Sequence, residues 1–141
     1  MLTEFEIYTD GGARGNPGPA ACAVVVFEKG KKGKKIAEFG KFLGRATNNQ
    51  AEYQGVLQAL LWLEQQEKSA RQINFFLDSK LIVEQLSGRF KLKNEGLKML
   101  FWQIQKKIMS LGLTVNFKHI PREQNQEADK IVNEILDKEK K

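Results

Sequence analysis

The stretch Ile7–Phe27, IYTDGGARGNPGPAACAVVVF, decides how this chain folds. At its start, residues 5–8 alternate between apolar and polar positions, which is the period-2 pattern of a β-strand. Gly11 and Gly12 then permit backbone angles that residues with a Cβ avoid. Asp10 therefore lies at the C-terminal end of a strand, which in open α/β sheets is the edge that binds ligands. A second interpretation of Asp10, as a turn residue before two glycines with no role in ligand binding, stays open at this point.

Length and composition indicate a single soluble domain. The 141 residues suit one domain spanning 1–141, with a charged, frayed tail at about 137–141. Cys22 is the only cysteine and lies in an apolar run, which favours a buried thiol in a reducing compartment over a nucleophile or a disulfide. No apolar run approaches the ~20 residues of a membrane span, and the N-terminus lacks a signal-peptide pattern. We therefore expect a cytoplasmic protein without a membrane segment.

The charge balance favours a polyanionic partner. The formal net charge is +6, from 23 Lys and Arg against 17 Asp and Glu. The lysine-rich stretch KGKKGKK, residues 29–35, is either a solvated hairpin tip or a weak attraction for phosphates. In SGRFKLKNEG, residues 87–96, Arg89, Lys91 and Lys93 alternate with apolar side chains. This segment is either a solvated connection or a segment that follows a phosphate backbone.

Periodicity along the chain predicts five strands and four helices in the order β-β-β-α-β-α-α-β-α. Thr47 and Gln50 have capping-box spacing at the start of the first helix. Trp102 in the third helix is interpreted as a packing residue rather than a stacking platform. The order predicts a mixed sheet in which strands four and five run parallel to strand one. After the first strand, the predicted elements are strands Ala20–Glu28 and Ile36–Leu43, a helix from Thr47, strand Gln72–Leu77, helices Ser79–Leu86 and Leu97–Leu111, strand Leu113–His119, and a helix capped by Asn125.

Four acids are expected to meet at one edge of this sheet. Asp10 and Asp78 each follow a strand, while Glu52 and Asp129 lie near helix starts, on or beside the apolar stripe. Asp78 has a second interpretation as a helix cap, which is compatible with the first. Like charges brought together in a partly buried site are costly unless cations neutralise them, and all-oxygen ligation suits Mg and Mn. Two such ions ~4 Å apart can activate water and stabilise the departing oxygen of a phosphodiester.

Four sequence blocks, each carrying one acid, resemble the type 1 ribonuclease H family in the same order along nearly the whole chain: YTDGGARGNPGP, TNNQAEYQG, FFLDSKLIVEQL and HIPREQNQEAD. The resemblance implies a ribonuclease H-like α/β fold, with a five-stranded mixed sheet ordered 3-2-1-4-5, strand 2 antiparallel and helices on both faces. It also implies a metal-dependent endonuclease that hydrolyses the RNA strand of RNA/DNA hybrids and leaves 5′-phosphate and 3′-hydroxyl ends. Asp10, Glu52, Asp78 and Asp129 then hold two Mg ions, with Mn as the expected substitute.

The resemblance assigns further roles residue by residue. His119 matches a histidine that assists proton transfer or product release, although a structural role at a strand end stays open. Backbone near Gly11 and the side chain of Glu52 match contacts to RNA 2′-hydroxyls. Thr47 matches part of a pocket that grips a phosphate of the DNA strand. The positions that match other contacts to the hybrid are Asn16, Asn48 and Asn49.

The chain departs from some family members, and other functions compete. Residues 87–96 are too short for an additional basic helix, so we expect substrate affinity to depend on Arg89, Lys91 and Lys93. We also expect no N-terminal hybrid-binding domain, and a monomer. DNA junction resolvases and exonucleases use the same sheet and acids, and a non-enzymatic binding module with this fold is a third possibility. A nucleotide-binding loop is disfavoured, because the glycines at 12, 15 and 18 match neither GxGxxG nor a P-loop.

Overall fold

A computed structural model of the chain describes residues 4–29, 34–66 and 71–139. Within these residues, no helix is long and apolar enough to cross a membrane. The elements, in chain order, are β1 (Glu4–Ala13), β2 (Gly18–Glu28), β3 (Lys35–Ala46), α1 (Asn48–Glu64), β4 (Gln72–Leu77), α2 (Lys80–Leu86), α3 (Glu95–Leu111), β5 (Thr114–His119), a 3-10 turn (Arg122–Gln124) and α4 (Gln126–Lys138).

The five strands form one mixed sheet with the order β3-β2-β1-β4-β5, so the predicted topology is confirmed. β2 runs antiparallel to β1 and β3, while β4 is parallel to both β1 and β5. Tyr8 of β1 and Phe76 of β4 form the last pair between these two parallel strands. β1 continues beyond this pair to Ala13 along β2, so the prediction that the strand ends at Asp10 was wrong. Asp10 and Asp78 each lie two residues beyond the pair and therefore emerge side by side at the edge where β4 ends.

Helices cover both faces of the sheet. α1, α2 and α3 pack on one face, where fully buried side chains such as Tyr53, Leu60 and Phe75 form the larger core. α4 packs on the other face against Ala21, Ala23 and Val25 of β2. Burying a side chain of this kind contributes roughly 1.5–3 kcal/mol to the stability of the fold. The two cores therefore fix the sheet, and with it the edge that carries the acids, from both faces. The valine-rich β2 is buried along most of its length because both of its faces are covered.

Glycine allows α1 to lie directly against β1. A Cβ at Gly11 would overlap the backbone of Ala51 and meet that of Glu52, and a Cβ at Gly55 would lie 3.2 Å from the carbonyl oxygen of Asp10. At Gly11, only a residue without a side chain permits this approach. The contact fixes Glu52, on the first turns of α1, next to Asp10 of β1.

Side-chain caps set the starts of three helices. Thr47 and Gln50 form the predicted capping box, with Thr47 Oγ1 accepting from the backbone N–H of Gln50 at 3.1 Å. Ser79, rather than Asp78, caps α2, which leaves the Asp78 carboxylate available for other contacts. α3 begins at Glu95, two residues earlier than predicted, because the Asn94 side chain accepts a hydrogen bond from the N–H of Leu97 at 3.0 Å.

Two expectations about the surface differ from the structure. Trp102 is 61% exposed, so its interpretation as a packing residue was wrong. α4 continues to Lys138, and Asp137 forms an ion pair with Arg14 at 2.7 Å, so the tail expected from about 137 begins later. Residues 140 and 141 lie outside the described residues. Most of the lysine-rich turn at 29–35 also lies outside them, in the gap at 30–33.

Candidate active site

Three of the four predicted acids meet where β1 extends beyond its parallel neighbour β4. Asp10, Glu52 and Asp78 each present a carboxylate oxygen, and these oxygens all lie within 4.8 Å of one another. Asp10 is buried, while the other two are partly exposed. They come from β1, from the first turns of α1 and from the end of β4, so the close contact of α1 with β1 and the pairing of β1 with β4 assemble the cluster.

The proximity of the carboxylates perturbs their ionisation. Burial, followed by the charges of Asp78 and Asp129, raises the pKa of Asp10 to about 8, against a smaller opposing effect of the Gly11 backbone N–H. Burial, followed by the charges of Asp10 and Asp78, raises the pKa of Glu52 to about 8. Without a counter-ion, these groups therefore favour their neutral forms. An electrostatic cost of this kind is what a bound dication would offset.

Asp129 lies beside the triad and completes the acidic lining. It projects from the first turns of α4, and its Oδ1 atom lies 3.8 Å from Nη2 of Arg122, whose side chain is 80% exposed. Both line a cavity of about 410 Å³ together with the triad. Arg14 and Asn133 also line this cavity. The four acids therefore share one open cavity with two arginines in its lining.

Asn125 is hydrogen-bonded to the acidic cluster from its buried side, a role that its position in the sequence did not reveal. It occupies the N-cap position of α4, but its side chain makes no capping hydrogen bond. Its Nδ2 instead donates to the carbonyl oxygen of Thr9 at 2.9 Å and to Oδ2 of Asp78 at 3.1 Å. Asn125 is only 1% exposed, and its Oδ1 is buried without a hydrogen-bond partner among the described residues. The predicted cap is thus a link between β1 and the Asp78 carboxylate.

His119 lies at the same edge but outside the acidic cavity. It is the last residue of β5 and pairs in register with Leu77, the residue before Asp78. The residue is exposed and does not line the cavity that holds the acids. The sheet therefore brings His119 to the neighbouring strand end, with its imidazole open to an approaching molecule.

The predicted asparagines connect the β1–β2 turn to α1. The backbone N–H of Asn48 donates to Oδ1 of Asn16 at 3.0 Å, and Oδ1 of Asn48 accepts from the N–H of Ala13 at 2.8 Å. A second cavity of about 210 Å³ lies beside this link. Asn16, Thr47 and Asn49 line it together with Gln50, Asn94 and Leu97. The starts of α1 and α3 thus converge on one polar cavity.

Comparisons with known proteins agree with this geometry. A family profile described as reverse transcriptase-like matches residues 8–135. LC11-RNase H1, solved in complex with an RNA/DNA hybrid, superposes with a TM-score of 0.87 at 41% identity, covering 95% of this chain and 97% of that one. The chain belongs to the type 1 ribonuclease H family. It is also 40% identical over 131 residues to the bifunctional protein Rv2228c of Mycobacterium tuberculosis, and 37% identical over 139 residues to ribonuclease HI of Halobacterium salinarum.

These two ribonuclease H relatives are longer than this chain. The matched region spans 93% of this chain but 35% of the Mycobacterium protein, and 92% of this chain but 63% of the Halobacterium enzyme. The match to LC11-RNase H1 covers nearly all of both chains, which identifies the ribonuclease H domain itself.

Ribonucleases H depend on divalent metal ions, and the residues of this chain fit such an ion. The cluster offers only carboxylate oxygens, the ligands that Mg and Mn prefer over Zn or Cu. Burial, followed by repulsion between the carboxylates, raises the pKa values of Asp10 and Glu52 to about 8, a cost that a bound cation would offset. The acidic triad is therefore suited to a hard dication.

The segment between α2 and α3 contains no helix, which agrees with the compact form of ribonuclease H. Arg89 is exposed and forms an ion pair with Glu84 at 3.1 Å. Lys91 and Lys93 are exposed and form no ion pair with a described residue. The segment leads directly to Asn94, which lines the polar cavity beside α1. The three basic residues therefore lie immediately before the residue that lines this polar cavity.

Proposed function

We propose that this chain is an endonuclease that hydrolyses the RNA strand of RNA/DNA hybrids and leaves 5′-phosphate and 3′-hydroxyl ends. The observation that carries the proposal is the convergence of Asp10, Glu52 and Asp78 within 4.8 Å, beside Asp129, in a ribonuclease H fold. Residues 1–141 then act as one catalytic domain, and we expect it to work as a monomer in the cytoplasm.

The four acids would hold two Mg ions, with Mn as a substitute. When bound, such ions supply an activated water and a counter-charge for the leaving oxygen. The chain's own contribution is to hold the carboxylates in place. Asn125 donates to Asp78 and so fixes one of its oxygens, leaving the other free to ligate. Arg122 and Arg14, which line the same cavity, favour the approach of an anionic backbone.

We assign proton transfer or product release to His119. It is exposed at the end of β5, next in the sheet to the strand that carries Asp78. An imidazole in this place can exchange protons with a nearby phosphate oxygen close to neutral pH. A purely structural histidine would instead be expected to donate to a backbone carbonyl.

The polar cavity beside α1 is the proposed site for a phosphate of the DNA strand. Thr47 and Asn94 cap two helices whose N-terminal ends converge there, and helix N-termini favour anions. Asn16 and Asn49 add neutral amides, which suit hydrogen bonds to the hybrid. Asn48 holds the turn in place and lines the acidic cavity on its other side.

Selectivity for RNA is proposed to come from 2′-hydroxyl contacts of the Gly11 backbone and the Glu52 carboxylate, both of which line the acidic cavity. Arg89, Lys91 and Lys93 would add electrostatic affinity for phosphates, because they are exposed and lie close in sequence to Asn94. Contacts of this kind weaken as salt is raised.

The decisive experiment compares three labelled substrates with Mg, with Mn and with chelator. We expect cleavage of the RNA strand of an RNA/DNA hybrid in either metal, and no cleavage with chelator. Preferential cleavage of a four-way junction or of duplex DNA would favour the resolvase or exonuclease alternative. Hybrid binding without turnover in both metals would favour a binding module and would refute the proposed activity.

A further inference from the structure

Positive charge and exposed apolar side chains coincide on α3 and the segment before it. Residues 87–111 contain six Lys or Arg and one Glu, so this segment carries a net +5 of the chain's +6. Of the six large apolar side chains that are exposed in the described residues, four lie in the same region: Phe90, Met99, Trp102 and Met109. Neither property is needed for the core of the fold, because Leu97 and Ile104 supply the buried face of α3.

Three of these apolar side chains form a stripe along the outer face of α3. Met99, Trp102 and Met109 are spaced by three and seven residues, which places them on one side of a helix, and they are 69%, 61% and 80% exposed. Lys98 and Lys106 lie one turn before and after Trp102. The ring of Phe101 meets that of Trp102 edge-on, with centroids 5.3 Å apart, which supports the indole without covering it.

The stripe begins next to the proposed phosphate cavity. α3 starts at Asn94, which lines that cavity, and α3 runs beside α1 away from the site edge, as the contacts of Gly96 with Gln50 and of Lys107 with Glu64 show. At a rise of about 1.5 Å per residue, Trp102 lies about 12 Å and Met109 about 22 Å along the helix from its start. A DNA strand that leaves the cavity along α3 would therefore reach the indole of Trp102 within a few nucleotides.

We propose that the outer stripe of α3 binds unpaired DNA that continues from the DNA strand of the hybrid. The inference rests on the proposed function, since the hybrid positions the strand. Unpaired bases stack on exposed aromatic rings, whereas bases within a duplex do not offer their faces, and flanking lysines follow the backbone phosphates. The combination of an exposed indole with neighbouring cations fits such a strand. Binding of an acidic protein or of a second copy of this chain to the stripe would contradict this proposal.

The test measures the affinity of uncleaved substrates in an Asp10→Asn background. A blunt hybrid is compared with hybrids whose DNA strand extends by about two, four or eight nucleotides at either end, since one phosphate occupies about 3.4 Å of a strand. We expect an overhang of about four nucleotides or more, at one end only, to tighten binding about fivefold or more. Trp102→Ala should remove this gain, so that the ratio of blunt to overhang dissociation constants returns to about one.

A matched pair of lysine variants separates a local contact from general electrostatics. Lys106→Gln should reduce the salt dependence of overhang binding by about 0.7 in the slope of log K against log salt, as expected for one lost contact to a single strand. Lys130→Gln removes an exposed lysine from α4, on the opposite face of the sheet, and should leave the overhang gain intact. Thermal unfolding of each variant checks that the fold is retained.

Three outcomes would overturn the inference: no overhang gain in the parent protein, a gain that survives Trp102→Ala, or a concentration-dependent dimer that Trp102→Ala disrupts. Failure of the proposed function is a separate result, because it appears as the absence of blunt-hybrid cleavage by the unmodified chain. Quenching of indole fluorescence by single-stranded DNA, lost in Trp102→Ala, would identify the stacking contact directly. Quenching that persists in Trp102→Ala would come from Trp62, the other tryptophan of the chain, and would count against the stripe as the binding surface.

Discussion

Replacing Asp10 by asparagine is expected to stabilise the metal-free protein at alkaline pH and to remove its response to divalent cations. Asp10 is 8% exposed, and burial together with the charges of Asp78 and Asp129 raises its pKa from 3.8 to about 8. An acid whose pKa is raised on folding contributes stability that is complete below its unfolded pKa. That contribution is lost as the pH rises through the folded pKa of about 8.

The size of the effect follows from this shift. At about 1.4 kcal/mol per pKa unit, a rise of about four units sets an upper limit of roughly 6 kcal/mol. Water in the open cavity screens the carboxylates, so we expect a difference of about 2–3 kcal/mol between about pH 5 and about pH 9. Asparagine preserves the shape of the side chain and an acceptor for the Gly11 N–H, but it carries no charge. The melting temperature of the Asp10→Asn variant should therefore exceed that of the parent protein by roughly 5–10 °C at the higher pH.

Thermal unfolding followed by circular dichroism at about pH 5, 7 and 9 measures this difference, first with chelator and then with Mg. The parent protein should gain stability from Mg by mass action, while Asp10→Asn should gain little. Asp137→Asn serves as the control, because Asp137 is 66% exposed, pairs with Arg14 and lies outside the triad. It should retain the Mg response. A chelated Asp10→Asn variant that is no more stable than the parent at any pH would refute the repulsion on which the metal site rests.

Three further substitutions test other parts of the site. Gly11→Ala should destabilise the fold by about 1–3 kcal/mol in urea denaturation. In the control Gly12→Ala, the added Cβ would have its nearest contact 3.8 Å away, and stability should change by less than about 1 kcal/mol. Equal effects of the two substitutions would contradict the close approach of α1 to β1. Asn125→Ala leaves Asp78 without its donor, and should cost about 1–3 kcal/mol and lower kcat more than it raises KM; unchanged kcat would show that the hydrogen bond is not needed for positioning. His119→Ala should slow turnover more than it weakens hybrid binding, and equal losses in both would indicate a structural role.

The sequence predicted best what local patterns determine. β4 matches its predicted range at Gln72–Leu77 because the apolar run is short and bounded on both sides. The capping box at Thr47 was visible as spacing, and the inward position of Glu52 followed from helical periodicity. β3 is longer than predicted because its later residues gain hydrogen bonds from β2, and this pairing partner is not visible in the strand's own sequence.

Tertiary contacts decided what the sequence did not reveal. Asn125 precedes a helix and has the chemistry of a cap, but the nearby carbonyl of Thr9 and the carboxylate of Asp78 offer its amide better acceptors. Trp102 was assigned to packing from its residue type, although its angle on the helix lies opposite that of Ile104. The exposure of such a side chain depends on which other elements cover the helix, and a local sequence pattern does not predict this.

The acids and the basic surface oppose each other within one small domain, and this arrangement limits what either can do alone. The acidic cavity repels phosphates until cations neutralise it, so lysines elsewhere must hold a nucleic acid at the site edge before or while the metals bind. The segment 87–111 provides nearly all of the chain's net positive charge and passes, at Asn94, beside the cavity that Thr47 and Asn94 line. Metal removal should therefore weaken hybrid binding less than it weakens cleavage, because the basic segment does not depend on the metals for its charge. If chelator abolished binding as completely as cleavage, the cations in the cavity, and not these lysines, would carry the affinity.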